Sequence, residues 1–321
     1  MKQPTRRMRG ACAMMLIALA MLGGCDKAPA PAAAPAQKAD VEFLADHAIW
    51  QQQRREELQA LDGWTSLVGL HWLELKAHYI GSGPGSGIRL EVGPPKLGMV
   101  KQQGDAVVFT PERGVPLTID GKPVRGAVRM RSDTDGAPTI IRFDDGKGSL
   151  SVIHRGQRFA LRLKHADAIT RSGFKGIESW PADPQWRVDA RWLPHPPGQT
   201  LKVVDITGLE QQQPNPGAVE FQRDGKTFRI EALGEPGKSL FLVFADRTSG
   251  HGSYPAGRFI DTAPVQGDHV VVDFNRAYNP PCAFTPYATC PLPPPENRID
   301  LLVTAGEKAY VGPSPLDKGA H

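Results

Sequence analysis

The stretch Val219-Glu220-Phe221-Gln222-Arg223-Asp224-Gly225-Lys226-Thr227-Phe228-Arg229-Ile230-Glu231 decides the fold. Val219–Gln222 and Lys226–Glu231 alternate apolar and polar side chains about a central Asp-Gly, the strongest short-range signal for a tight β-hairpin. Asp-Gly recurs at 120–121, 135–136 and 145–146, each between strand-like runs. The flanking runs are Pro116–Ile119 with Val124, Val128–Arg131 with Thr139–Phe143, and then Gly148–Ile153. In Arg158–Leu163, Phe159, Leu161 and Leu163 fall on one face while Arg158 and Arg162 fall on the other. With 34 Gly and 30 Pro, about a fifth of the 321 residues suit turns. No long helical pattern appears after residue 63. The chain therefore reads as all-β, with two sandwich-like or partly closed antiparallel β domains preceded by a short N-terminal helix.

Outward from the hairpins, turn residues cluster near 165–185 (Ser172-Gly173, Trp180-Pro181, Asp183-Pro184) and divide the β region. The expected units are 41–165, helix plus first β domain, and 175–315, second β domain. No repeat of solenoid or propeller period occurs. Asp40 is placed to cap a helix over Val41–Leu61, with Leu44, Ala48, Leu58 and Leu61 near one face. Arg54-Arg55 beside Glu56-Glu57 predicts a solvated outer face, and Asp62-Gly63 ends the helix. Residues 25–40 are rich in Ala and Pro, a composition suited to a flexible tether.

Residues 1–24 read as a secretory signal: Lys2, Arg6, Arg7 and Arg9 precede the apolar run Ala11–Leu22. That run is too short to span roughly 30 Å of hydrocarbon. Leu22-Gly23-Gly24-Cys25 resembles a lipobox, which would make Cys25 the acylated residue and the lipid bilayer a partner. The expected location is the cell envelope, periplasm-facing; Asp26 resembles an inner-membrane retention signal. The four bases of the signal equal the whole net charge of +4, so the mature chain is expected to be neutral. Neutrality argues against nucleic acid as a partner. Of four cysteines, Cys12 leaves with the signal and Cys25 is acylated, leaving Cys282 and Cys290. In an oxidising compartment these are expected to form a disulfide, at about 2.5 kcal/mol for so small a ring. A metal site and two free thiols are the alternatives.

Several runs stand out together: Trp64–Leu73 (WTSLVGLHWL), Asp246–Gly250 (DRTSG), Tyr254–Phe259 (YPAGRF) and Asp273–Phe284 (DFNRAYNPPCAF). Cys290–Pro293 (CPLP) and Glu296–Arg298 (ENR) follow. In this order they resemble the bacterial and archaeal DUF1684 family, across about 41–310. The resemblance implies a shared fold and carries no established activity. The first β unit also faintly resembles a forkhead-associated sandwich. Its turn Ile80–Ile88 lacks the arginine, and no Ser-x-x-His follows, so phosphopeptide reading is not expected.

Loops of 246–298 concentrate polar side chains, as binding loops on a rigid sheet do. Arg158, Arg162, Arg258, Asp273, Asn275 and Arg276 are the candidate ligand-binding residues, with Lys175 extending a basic patch. Planar guanidinium forks suit carboxylate or phosphate, so the expected ligand is a small anion or an envelope component. The competing reading makes Arg258–Asp273 and Arg276–Asp246 internal ion pairs. A hydrolase alternative would use Asp273 or His251 as acid/base; a structural or protein-interaction role is the third. No Gly-x-Ser-x-Gly elbow, His-Glu-x-x-His or Cys-x-x-Cys occurs, and no metal or cofactor is called for. Trp180, Trp186 and Trp192 would serve either core packing or a saccharide-stacking surface.

Overall fold

A computed structural model describes residues 35–235 and 237–314. The signal, Cys25 and most of the expected tether lie outside the described residues. The architecture is mostly β: several antiparallel sheets, one N-terminal helix and, among the described residues, no closed barrel. The Val219–Glu231 hairpin is formed, with Val219 opposite Ile230, Phe221 opposite Phe228 and Arg223 opposite Lys226. Asp224 and Gly225 both take positive φ, 50° and 72°, the turn geometry that Asp-Gly tolerates. Asp120-Gly121 does the same between Thr118–Ile119 and Lys122–Pro123.

The third Asp-Gly behaves differently. Val128–Met130 pairs with Val107–Phe109, whereas Ile141–Phe143 pairs with Gly148–Leu150. The expected hairpin across 135–136 is instead a crossing between two sheets. Ser132 donates to Asp135 Oδ2 through both its backbone N–H and its hydroxyl, which closes the local turn without pairing the flanks.

Those two sheets form a sandwich. The six-stranded sheet runs Leu67–Trp72, Arg158–His165, Gly148–Arg155, Ile141–Phe143, Thr118–Ile119, Lys122–Pro123 in spatial order. The five-stranded sheet contributes Ile80, Val100, Val107, Phe109 and Met130 to the shared core, against Leu150, Val152, Leu161 and Leu163. A second core gathers Val219, Phe221 and Ile230 with Leu240, Leu242, Phe244, Ile260 and Phe274. It lies between a four-stranded sheet (Lys226–Ala232, Gly217–Arg223, Arg187–Pro194, His269–Asp273) and the pair Ser239–Phe244/Arg258–Pro264. Trp186 is buried there, edge-on to Phe274, which is a core role. A third cluster joins Leu67 to Val203, Val243, Phe259 and Cys290.

The helix spans Pro35–Gln59, starting five residues before the expected cap Asp40. Proline is well placed in a first turn, and the Ala, Gln and Lys that follow are good helix formers. Its buried stripe also differs from expectation. Phe43, His47 and Leu58 are buried and Trp50 and Arg54 partly so, whereas Leu44 and Leu61 are about half exposed. The stripe keeps helical spacing but admits a histidine and an arginine, which counting apolar residues alone passes over.

Candidate functional site

The six residues expected to line one pocket lie in three places. Arg258 is wholly buried: its NH2 is 3.2 Å from Asp246 Oδ1 and donates to Val303 O, while NH1 donates to Ala305 O and Glu307 O. The internal-pair reading holds for this arginine, with Asp246 and not Asp273 as partner. Asp273, Asn275 and Arg276 sit together at a turn. Asp273 Oδ1 accepts from Asn275 N and Nδ2, and Asn275 exchanges bonds with the backbone of Asp183. Arg276 pairs with Asp46 of the helix at 2.5 Å. Arg158 stacks over Trp72 at 4.2 Å and Arg162 over Trp64 at 5.1 Å. The expected single arginine pocket is therefore not formed, because four guanidinium groups are spent on core, helix docking and ring stacking.

The catalytic alternatives fare no better geometrically. Asp273 acts as the cap of a short 3-10 turn. His251 is exposed on the loop after Thr248, where no carboxylate pairs with it among the described residues. Cys282 and Cys290 are both free thiols in this structure, with Cys282 N–H 3.0 Å from Cys290 Sγ. A thiol–thiol hydrogen bond lowers the Cys282 pKa and raises that of Cys290, whose burial pushes it further up.

Chemistry gathers instead beneath the C-terminal half of the helix. Trp50, Gln53, Arg54 and Glu57, at i, i+3, i+4 and i+7, share one helical face. They close one side of a cavity of about 450 Å³. Its other walls are Trp64, Phe241, Phe259, Asp261, Tyr278 and Pro281. Tyr278 donates its hydroxyl to Asp261 Oδ2 at 2.6 Å, and burial, with Asp261 reinforcing it, raises the phenol's pKa well above its ordinary value. The phenol thus stays a donor at any physiological pH.

Arg54 is the latch. Its guanidinium lies 4.6 Å from the Tyr278 ring centre, Nε is 3.1 Å from Glu307 Oε1, and NH2 donates to Asn279 O. Glu307 is almost wholly enclosed; burial raises its pKa, opposed chiefly by Arg54. Its second oxygen accepts Asn279 N at 2.6 Å. Arg54, Glu307 and Asp261 were not singled out from sequence. The run Arg54-Arg55-Glu56-Glu57 reads as solvated, and only its helical phase relative to Trp50 and Leu58 marks Arg54 as inward.

Three of the runs that stand out in the sequence meet in this cavity: Trp64 from Trp64–Leu73, Phe259 from Tyr254–Phe259, and Tyr278 and Pro281 from Asp273–Phe284. Residues 172–308 match the family described as "Protein of unknown function (DUF1684)". That region belongs to the DUF1684 family. The match begins well after Trp64–Leu73, so the first run lies outside it. No curated protein matches the chain. A solution NMR structure of an uncharacterized protein of Haloarcula marismortui shares 32% identity, over 42% of this chain and 77% of its own, with a TM-score of 0.36. Within the DUF1684 region lie Phe241, Phe259, Asp261, Tyr278, Pro281 and Glu307, whereas Trp50, Arg54 and Trp64 come from the residues before it.

Proposed function

We propose that the mature protein is a lipid-anchored envelope lipoprotein that binds a small ligand in the cavity beneath its N-terminal helix. One observation carries the binding reading: runs distant in sequence converge with the helix to line a single cavity of about 450 Å³, the size range of small-molecule sites. The lining sets the ligand's chemistry. Trp50, Trp64, Phe241 and Tyr278 supply flat apolar faces, while Asp261 and Glu57 supply acceptors. Arg54 is already held by Glu307, so the free charge of the walls is acidic. A neutral saccharide, with C–H faces to stack and hydroxyls to donate, suits these walls better than the small anion expected from the arginines.

Anchoring rests on the order of basic segment, apolar run and lipobox ahead of Cys25. In the oxidising envelope the adjacent Cys282 and Cys290 thiols would close to a disulfide. The binding test is titration of the full-length protein with N-acetylglucosamine and its β-1,4-linked tetramer, read by tryptophan fluorescence and calorimetry. Saturable quenching that Trp50→Ala abolishes supports the reading; no heat and no quenching at 10 mM sugar overturns it. Anchoring is tested by fractionation: Cys25→Ala protein that still sediments with membranes would refute it.

A further inference from the structure

The helix has a second flank, and its chemistry is opposite. Arg55 follows Arg54 by one residue, about 100° around the helix, and lines a separate cavity of about 450 Å³. The lining there includes Lys175, Glu178 and Lys308. Lys308 Nζ lies 3.5 Å from Glu178 Oε2, which offsets one cation. Arg55 and Lys175 have no carboxylate partner among the described residues, so two positive charges remain on the walls. In a chain whose charge outside the signal balances, this is a local concentration of charge. The backbone agrees with it. Gly176 turns the loop with φ of 97°, and the N–H groups of Lys175, Gly176 and Ile177 have no protein acceptor among the described residues. Gly252 lines the facing edge at φ 123°. Two cations on a concave, glycine-bearing wall with unused amide donors fit a compact dianion.

We infer that this cavity is a binding site for a phosphate group, carried by a small phosphomonoester or by a lipid headgroup. Arg55 supplies the planar fork, Lys175 the point charge, and the loop 175–177 the amide donors. The site is distinct from the aromatic cavity: the two share no lining residue, although Arg54 and Arg55 together also line a smaller pocket of about 110 Å³ with Trp50, Ile177 and Glu307.

The test uses the full-length Cys25→Ala chain, which carries no acyl anchor. Calorimetry with inorganic phosphate and with glycerol 1-phosphate is compared with flotation on phosphatidylcholine vesicles with and without 20% phosphatidic acid. The expected result is saturable binding of a phosphomonoester, or flotation that depends on phosphatidic acid. Either should weaken at least tenfold in Arg55→Gln/Lys175→Gln and also fall when salt rises from 50 to 300 mM. Soluble-ester binding assigns a small metabolite; flotation alone assigns a headgroup. Both side chains are exposed, so the variant is expected to fold; an unchanged far-UV spectrum checks this. No binding in either arm, or equal binding by the variant, overturns the assignment. Should the variant misfold, backbone amide shifts of residues 175–177 in the wild-type chain decide: shifts on adding phosphate support the site, and silence refutes it.

Discussion

Arg258 is the residue whose role changed most between sequence and structure, and its removal is expected to cost stability rather than binding. Arg258→Met withdraws the donors of three buried carbonyls, Val303 O, Ala305 O and Glu307 O, and leaves Asp246 buried without its cation. Removing one member of a buried ion pair typically costs about 3–5 kcal/mol, and an unsatisfied buried polar group about 1–3 kcal/mol. Asp246 keeps three other donors, from Thr248 N, Thr248 Oγ1 and Val303 N, which moderate the first term. A loss of about 4–5 kcal/mol follows, against typical total stabilities of about 5–15 kcal/mol. Asp246→Asn should cost less, about 3 kcal/mol, since the amide oxygen still accepts and Arg258 retains its carbonyls. The double variant should cost less than the sum by about 1–3 kcal/mol, the coupling expected of contacting residues. Urea unfolding of the four proteins, followed by near-UV circular dichroism, measures all three quantities. A loss below about 1 kcal/mol for Arg258→Met, or strict additivity, would refute the core role and return Arg258 to the ligand-binding candidates.

Three further outcomes are expected. Lys164 donates to Asp62 O beside the Trp64 ring, and burial, then Arg162, lowers its pKa from 10.5 to about 8. Between pH 8 and 10.5 the unfolded chain holds a proton that the folded one lacks, so stability rises with pH there. Lys164→Met should melt above wild type at pH 7, with the gap closing by pH 10.5; a gap independent of pH would contradict this. Glu307→Ala should release Arg54, so hydrogen exchange over 41–59 should quicken at least tenfold while the strands of the first sandwich keep their protection. Protection unchanged in the helix would show that the Arg54–Glu307 pair is not what docks it. Under reducing conditions iodoacetamide should alkylate Cys282 well before Cys290, because Cys282 is the less buried thiol and has the lowered pKa. Equal rates by peptide mass mapping would contradict the asymmetry.

The strands were legible because their signals are local. Phe221 opposite Phe228 needs only alternation and an Asp-Gly turn, and both are contained in thirteen residues. The crossing at 135–136 was not legible, since the same dipeptide closes a hairpin or a crossover according to which sheet its flanks join. That choice is made by burial of Met130 and Ile141 in the shared core, a long-range effect. The charged residues were the hardest to place. Arg258, Arg276 and Arg162 are alike in sequence, each near acidic or aromatic neighbours. One proves wholly internal, one docks the helix and one stacks on an indole, and only depth separates them.

Depth also explains why the helix carries so much of the candidate chemistry. A helix on the surface of a sheet protein can place adjacent residues about 100° apart, so Arg54 and Arg55 line different large cavities although they are neighbours in the chain. Arg54 goes inward and is neutralised by Glu307, which leaves the aromatic cavity to Asp261 and Glu57. Arg55 stays outward and uncompensated beside Lys175. The two cavities thus differ in electrostatic character, the inner one acidic through Glu57 and Asp261 and the outer one basic through Arg55 and Lys175. An alanine inserted after Gln51 would rotate Arg54 out and Gln53 in. That single change should disable the inner latch and perturb both cavities together, whereas Arg55→Gln should affect the outer one alone. A single change that lost both binding activities without loosening the helix would contradict the division of the two flanks.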